Sequence, residues 1–350
     1  MSKEEPIPQK ERVPFKEKVA FAMGGIGVGI QQSADNGIMT PIFVLGVGIS
    51  PVWMSAKAVI ERIYDAFTDI FMGWLSDNTR TKWGRRRPYM LLGAILMGLA
   101  MPLMFFFDRD WSVPAVTVWM IICGLILTTT YTIYNIPRNA LFLELTPNSN
   151  ERTNVAVIGA YLGMSVQFLV AWMWKLTQLP IFADELGNVD MLNGARWINL
   201  LLAGVIILFG LMPVFFCKER YYHQASGQKK ESLLASMKLT FKNKPFLFLV
   251  MTGLFYVLGL NIKWGLDFYT KVYYIFDGDQ EAAATLAGIQ GTGQIFLSLA
   301  GVRFFQWLSA VRGKRFALNV AVSMVAIGSA STLFLYIPSL PYLSMIPICI

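Results

Sequence analysis

Apolar runs of bilayer length, separated by short polar stretches, dominate the chain. They lie near residues 19–47, 52–76, 88–107, 113–137, 154–176, 196–217, 246–270, 284–304 and 316–337, and a tenth begins near 340. A helix needs about 20 residues, at roughly 1.5 Å each, to cross a hydrocarbon core. The pattern therefore predicts an all-α polytopic membrane protein with about nine complete spans plus part of a tenth. Twelve spans at this spacing would need on the order of 450 residues, so further helices are expected beyond residue 350. The first 18 residues are polar and mixed in charge, and the first apolar run is too long for the h-region of a secretory signal. No cleavable leader is expected.

Composition agrees with the pattern. Of 350 residues, 55% are hydrophobic and only 15% charged, against about 25% charged in an average soluble domain. The net charge of +8 does not point to nucleic acid, because its distribution follows the spans. Of the 30 Lys and Arg, 23 fall in the N-terminal segment and in the stretches after every second span. The opposite loops hold only Arg109, Lys175, Arg196 and Lys271. By the positive-inside rule the N-terminus is expected in the cytoplasm of a multi-pass plasma-membrane protein, in a bacterium the inner membrane. Cys123, Cys217 and Cys349 have no paired spacing, so neither a disulfide framework nor a thiolate metal site is expected.

The longest internal polar stretch, 218–245, follows the sixth run on the basic side. It divides the chain into a cytoplasmic N-terminal segment (1–18), a six-helix bundle (19–217), a cytoplasmic linker (218–245) and an incomplete second bundle (246–350). A faint repeat supports two halves, since WLSDNTR (74–80) ends the second span and WLSAVRGKR (307–315) follows the eighth.

Charges inside spans carry the chemistry. Asp65 and Asp69 are four apart, on one helical face, with Thr68 beside them. Each carboxylate costs about 2.5–3.5 kcal/mol at the bilayer centre unless it is partnered. The pair must therefore share a proton, pair with Arg62 in a static network, or bind a cation. Oxygen ligands suit Na⁺ or H⁺ and no softer metal, and the one histidine, His223, lies in the linker. In the first span Gln31, Gln32, Asp35 and Asn36 form a polar patch suited to a neutral polyhydroxylated ligand. The seventh span carries Lys263 and Asp267 at a spacing that lets them neutralise each other. At the end of the second span Asp77 precedes Arg80, Lys82, Arg85, Arg86 and Arg87, and can accept guanidinium bonds across helix ends. The same basic run would also serve as a headgroup anchor.

The stretch DAFTDIFMGWLSDNTRTKWGRRRP (65–88) resembles the signature of the glycoside-pentoside-hexuronide (GPH) cation symporters of the major facilitator superfamily, and YTIYNIP (131–137) resembles that family's fourth-helix motif. The resemblance runs through the tenth span. It implies the major facilitator fold of 6+6 helices and cation-coupled sugar or glycoside symport by alternating access, around a site near the midplane. It also implies a cation site at Asp65, Thr68, Asp69 and Thr132, and a cytoplasmic latch at Asp77, Arg80, Arg85, Arg86 and Arg87. Thr68 stands where a melibiose-carrying member has Asn, and Asn135 where that member has Asp; Asp35 has no direct counterpart there. The expected substrate-binding set is Gln31, Asp35, Asn36, Asn135, Lys263 and Asp267. No cofactor is expected beyond the coupling cation, Na⁺ or H⁺, and no metal beyond a Na⁺ site. The partners are a small-molecule sugar or glycoside and the lipid bilayer, with no nucleic acid and a monomer as the working unit. Two other readings remain open on the residues: a lysolipid or drug carrier on the same fold, and a non-transporting sensor. No nucleophile–base pair or phosphate loop suggests an enzyme.

Overall fold

A computed structural model describes residues 12–183, 190–220 and 242–345. The side chains of Asp35 and Asn36, most of the expected linker with His223, most of the N-terminal segment and Cys349 lie outside the described residues. All regular structure among the described residues is helical. Its long elements are α1 (Phe15–Ala34), α2 (Pro51–Asn78), α3 (Arg87–Leu103), α4 (Val113–Leu145), α5 (Ser149–Leu176), α6 (Met191–Phe216), α7 (Lys244–Tyr269), α8 (Gln280–Arg312) and α9 (Lys314–Leu335). Each of the nine apolar runs falls on one of them. By length and composition alone, α4, α5 and α6 are long and apolar enough to cross a membrane. The charges that α2 carries at Lys57, Glu61, Arg62, Asp65, Asp69 and Asp77 make it a poor span when taken singly.

Local chemistry sets the boundaries. Ser50 caps α2 by accepting from the Val52 N–H at 3.4 Å, with Pro51 at the first helical position. Asp190 caps α6 by accepting from Asn193 N–H at 3.0 Å, and Asp279 caps α8 through the N–H groups of Glu281 and Ala282, both at 3.0 Å. Two helices do not stop where their α-helical bonds stop. α1 runs on as π-helical turns over Asp35–Met39 and Pro41–Gly46, and α7 does the same over Thr270–Ile275. The polar patch of the first span thus coincides with the change of helix type at Asp35.

The chain separates into two compact units, residues 1–223 and 224–350. In the first, α1 packs against α5 and α6, α3 against α4 and α6, and α2 against α4. Small residues permit the close crossings: a Cβ on Gly93 would lie 2.7 Å from the backbone nitrogen of Tyr134. The core is filled by Met90, Met97, Met104, Met120, Phe43 and Tyr134, all fully buried. In the second unit α8 passes directly into α9 at Gly313, whose φ of 86° turns the chain in one residue. The repeat segment WLSAVR lies inside α8, because that helix extends to Arg312 rather than ending near 304.

Candidate functional site

α2 and α4 run side by side in the first unit, and their shared seam holds the expected cation residues. Thr132 of α4, 1% exposed, directs its hydroxyl toward both Asp65 Oδ1 and Asp69 Oδ1, each at 3.2 Å. One hydroxyl carries one proton, so it satisfies only one carboxylate at a time. The second contact leaves oxygens facing one another, an arrangement that a proton or a cation between them stabilises. Arg62 lies 3.9 Å from Asp65 Oδ2 and its side chain is 77% exposed, so it holds the pair loosely. Thr68 turns its hydroxyl back to the carbonyls of Asp65 and Tyr64, at 3.1 and 3.3 Å. Its proton is thereby committed to its own helix. One turn earlier Tyr64 meets Thr129 at 2.9 Å, and because Thr129 donates to Leu125 O at 2.8 Å, the phenol is the donor.

Two features of this seam were not singled out by the sequence. Lys57 and Glu61 form a pair at 2.9 Å with Lys57 only 4% exposed. Gly124 of α4 leaves room for it, since a Cβ there would fall 1.9 Å from Glu61 Oε1. With Lys57, Glu61, Asp65 and Asp69 on a four-residue spacing and Asp77 eight residues further on, the charged stripe of α2 was present in the sequence and extends beyond the two aspartates. The other feature is Tyr131, whose oxygen accepts from Gln32 Nε2 at 2.8 Å and Asn135 Nδ2 at 2.9 Å. That phenol joins the polar patch of α1 to the fourth-helix motif.

Of the expected substrate-binding residues, Gln31 donates to Leu127 O at 3.1 Å while its Oε1 is buried without a partner. Asn135 binds Tyr131. Asp35 and Asn36 lie outside the described side chains. In the second unit Asp267 accepts from Lys271 Nζ at 2.5 Å and from the Tyr336 hydroxyl. Lys271 was expected in an external loop; it sits instead in the π-helical extension of α7, 5% exposed, and also binds Gln290. Lys263 and Asp267 line a cavity of about 580 Å³ between α7 and α9, with Tyr256, Thr270, Ser329 and Thr332.

The cluster at the end of α2 is denser than the sequence suggested. Arg86 pairs with Asp77 and donates to Ser76 Oγ at 2.7 Å. Arg85 and Arg86 share Glu144 at the end of α4, at 2.5 and 3.3 Å. Glu219 accepts from the backbone N–H groups of Arg85, Arg86 and Arg87 at 2.9, 2.9 and 3.2 Å, capping α3 with a carboxylate supplied from after α6. Arg87 donates to Val214 O at 2.6 Å, and Arg80 is not drawn in among the described residues. Glu144 and Glu219 were missed. A lone Glu in the apolar run LFLEL was the available signal for the first.

This arrangement matches a known family. The chain belongs to the MFS/sugar transport protein family, whose model matches residues 20–350. The isoprimeverose transporter of Lactiplantibacillus pentosus is 23% identical over 320 residues, covering 91% of this chain and 64% of that protein. The putative glycoside/cation symporter YagG of Escherichia coli (strain K12) is 24% identical over 307 residues, covering 85% and 64%. The chain thus spans slightly under two thirds of the length of these relatives. A bacterial homolog of the human lysosomal transporter Spinster, in an inward-facing and unoccupied conformation, superposes with a TM-score of 0.63 at 12% identity, over 96% of this chain and 72% of that one. The fold is that of the major facilitator transporters, and the GPH resemblance read from residues 65–88 and 131–137 is borne out at the level of family.

Proposed function

We propose that the protein is a secondary active transporter that moves a sugar or glycoside together with Na⁺ or H⁺. The observation that carries this reading is the convergence of Asp65, Asp69 and the Thr132 hydroxyl on one point of the α2–α4 seam. Two carboxylates in a membrane span cost roughly 5–7 kcal/mol unpartnered, and the loosely placed Arg62 does not offset that. A bound cation does. The relatives named as an isoprimeverose transporter and a glycoside/cation symporter support both the substrate class and the coupling. Gln32, Tyr131 and Asn135 supply neighbouring polar groups of the kind a hydroxylated ligand requires, while Asp35 and Asn36 of the first span remain proposed ligands from the sequence.

In this reading the protein works as a monomer in the bacterial inner membrane with its N-terminus in the cytoplasm, and two six-helix halves joined by the 218–245 linker rock about the substrate. The Asp77–Arg86–Glu144 cluster serves as the cytoplasmic latch, formed in one conformer and broken in the other. The test is labelled-sugar counterflow in vesicles holding the intact protein, with and without Na⁺ and across pH. Binding linkage requires that a cation which raises sugar affinity be itself bound more tightly by the same factor when sugar is present. Sugar binding indifferent to both Na⁺ and pH would overturn the coupling.

A further inference from the structure

We infer that Lys57 is a built-in cation that holds the number of mobile cations exchanged along the α2–α4 seam at one; this rests on the symport reading above. Lys57, Glu61, Asp65 and Asp69 follow one another at intervals of four on α2, so each turn presents a charged group to its neighbour about 5–6 Å away. The row is not answered uniformly. The Lys57 ammonium straddles one carboxylate, 2.9 Å from Glu61 Oε1 and 3.0 Å from Glu61 Oε2. Asp65 and Asp69 instead meet the Thr132 hydroxyl and, at Asp65, the loosely placed Arg62.

Packing commits the Lys57–Glu61 pair to its place. Lys57 is buried, and α4 supplies a notch at Gly124, where a Cβ would lie 1.9 Å from Glu61 Oε1 and 2.9 Å from Lys57 Cε. Along both helices, the Tyr64–Thr129 hydrogen bond comes between this pair and the aspartates, so one polar seam contains them all.

Stability alone does not account for the pair. A buried Lys–Glu pair contributes little compared with two well-packed apolar side chains, and each charge is costly within a span. Charge balance supplies a reason. Glu61, Asp65 and Asp69 carry three negative charges while Lys57 and Arg62 carry two positive ones, so one monovalent cation neutralises the row. Tyr64 of α2 and Tyr131 of α4, which interacts electrostatically with Asp65 and Asp69, bring no positive charge. Without the ammonium the row needs two cations. Because it is tethered to α2, the ammonium cannot leave with a substrate; it answers Glu61 permanently and leaves the aspartates as the exchanging site. Lys57 acts through Glu61 and is accordingly a positioning residue that sets stoichiometry.

The experiment uses the intact protein in detergent, with Na⁺ replaced by choline at constant ionic strength, across about pH 6 to 8. Thermal unfolding is followed against Na⁺ and pH, because the slope of stability on the logarithm of cation concentration counts the cations that the folded chain binds beyond the unfolded one. Lys57→Met is expected to bind one more Na⁺ or H⁺ than wild type, roughly doubling the combined slope. Lys57→Met together with Glu61→Gln is expected to return to the wild-type slope, since the carboxylate that needed the ammonium is gone. A merely structural pair predicts a lower Tm in Lys57→Met with no change of slope, and that result overturns the inference. Failure of Lys57→Met to fold at every Na⁺ concentration and pH, or an added cation that persists in the double variant, also overturns it. A wild type whose Tm is indifferent to both Na⁺ and pH counts against the symport reading, while the gain or absence of a cation in Lys57→Met still decides this one.

Discussion

The passage from α1 to α2 and the passage from α7 to α8 share a backbone hydrogen-bond pattern and differ in buried charge. In the first, Val47 N–H bonds to Ile42 O at 3.0 Å and Ile49 N–H to Phe43 O at 2.8 Å. In the second, Phe276 N–H bonds to Lys271 O at 3.1 Å and Gly278 N–H to Val272 O at 2.8 Å. Both turns follow π-helical residues, both place a residue at positive φ at the same position (Gly48 at 81°, Asp277 at 48°), and both lead into a capped helix at Ser50 or Asp279, although the second turn adds Gly278 at φ 93° where the first has Ile49. No shared letters announce this repeat. Yet at the positions where the first unit has the fully buried Ile38 and Ile42, the second has the Asp267–Lys271 pair. Conversely, where α2 has Asp65 and Asp69, α8 in the same register has Gln294 and Ser298. A shared hydrogen-bond pattern thus gives the two units similar turns, and buried charge makes them different in chemistry.

The sharpest way to break this contrast is to remove charge from each side. Asp65→Asn or Asp69→Asn should lower concentrative uptake by about a hundredfold and abolish the dependence of sugar binding on Na⁺ or pH. Gln294→Leu and Ser298→Ala should leave that dependence in place. Equal loss in both helices, measured by binding at varied Na⁺, would mean that the carboxylate pair is not the special feature of α2.

Asp267 and Lys271 pose the next test. A buried pair is strongly destabilised when one partner goes, by about 3–5 kcal/mol, but often tolerates apolar replacement of both. Lys271→Met alone should therefore lower the Tm sharply, and Asp267→Leu with Lys271→Met should recover most of the loss, because Ile38 and Ile42 already show that this backbone accepts apolar side chains. Failure of the double variant to recover stability would assign the pair a role beyond packing.

The second junctions of the two units also differ. Between α2 and α3 the chain uses the 79–86 segment and the Glu219 cap, whereas α8 reaches α9 through Gly313 alone. Gly84 sits at φ 105° with Glu219 Oε1 2.5 Å from where a Cβ would be; Gly313 sits at φ 86° with open space around it. Gly84→Ala should cost about 2–3 kcal/mol, combining backbone strain with the disturbed carboxylate. Gly313→Ala should cost only about 1 kcal/mol. Chemical denaturation of the two variants in one detergent checks the order. The smallest effect belongs to the shared turn, where Asp277→Gly should shift stability by no more than about 1 kcal/mol while Gly48→Ala destabilises by about 1 kcal/mol.

Several parts of this protein were legible in its sequence. Spacing of apolar residues located the helices because a hydrocarbon core demands continuous, internally bonded helices of a set length. The same logic marked Asp65 and Asp69, since charge in such a run is costly enough to need a reason. Partnership was not legible. Thr132 was reached through family resemblance, and its contact with both carboxylates spans more than 60 residues. Glu144, Glu219 and Tyr131 gained their roles only from helices brought alongside. Lys271 read as a loop residue because helix continuation through π-turns leaves no compositional mark. The four-residue period fixes which side chains share a face from neighbouring letters, but which face meets which is decided by packing between distant segments, through positions such as Gly93, Gly124 and Gly25 where one added carbon would collide. Sequence thus determined the helices and the costly charges, and tertiary contact alone decided which charges are answered by a partner and which are not.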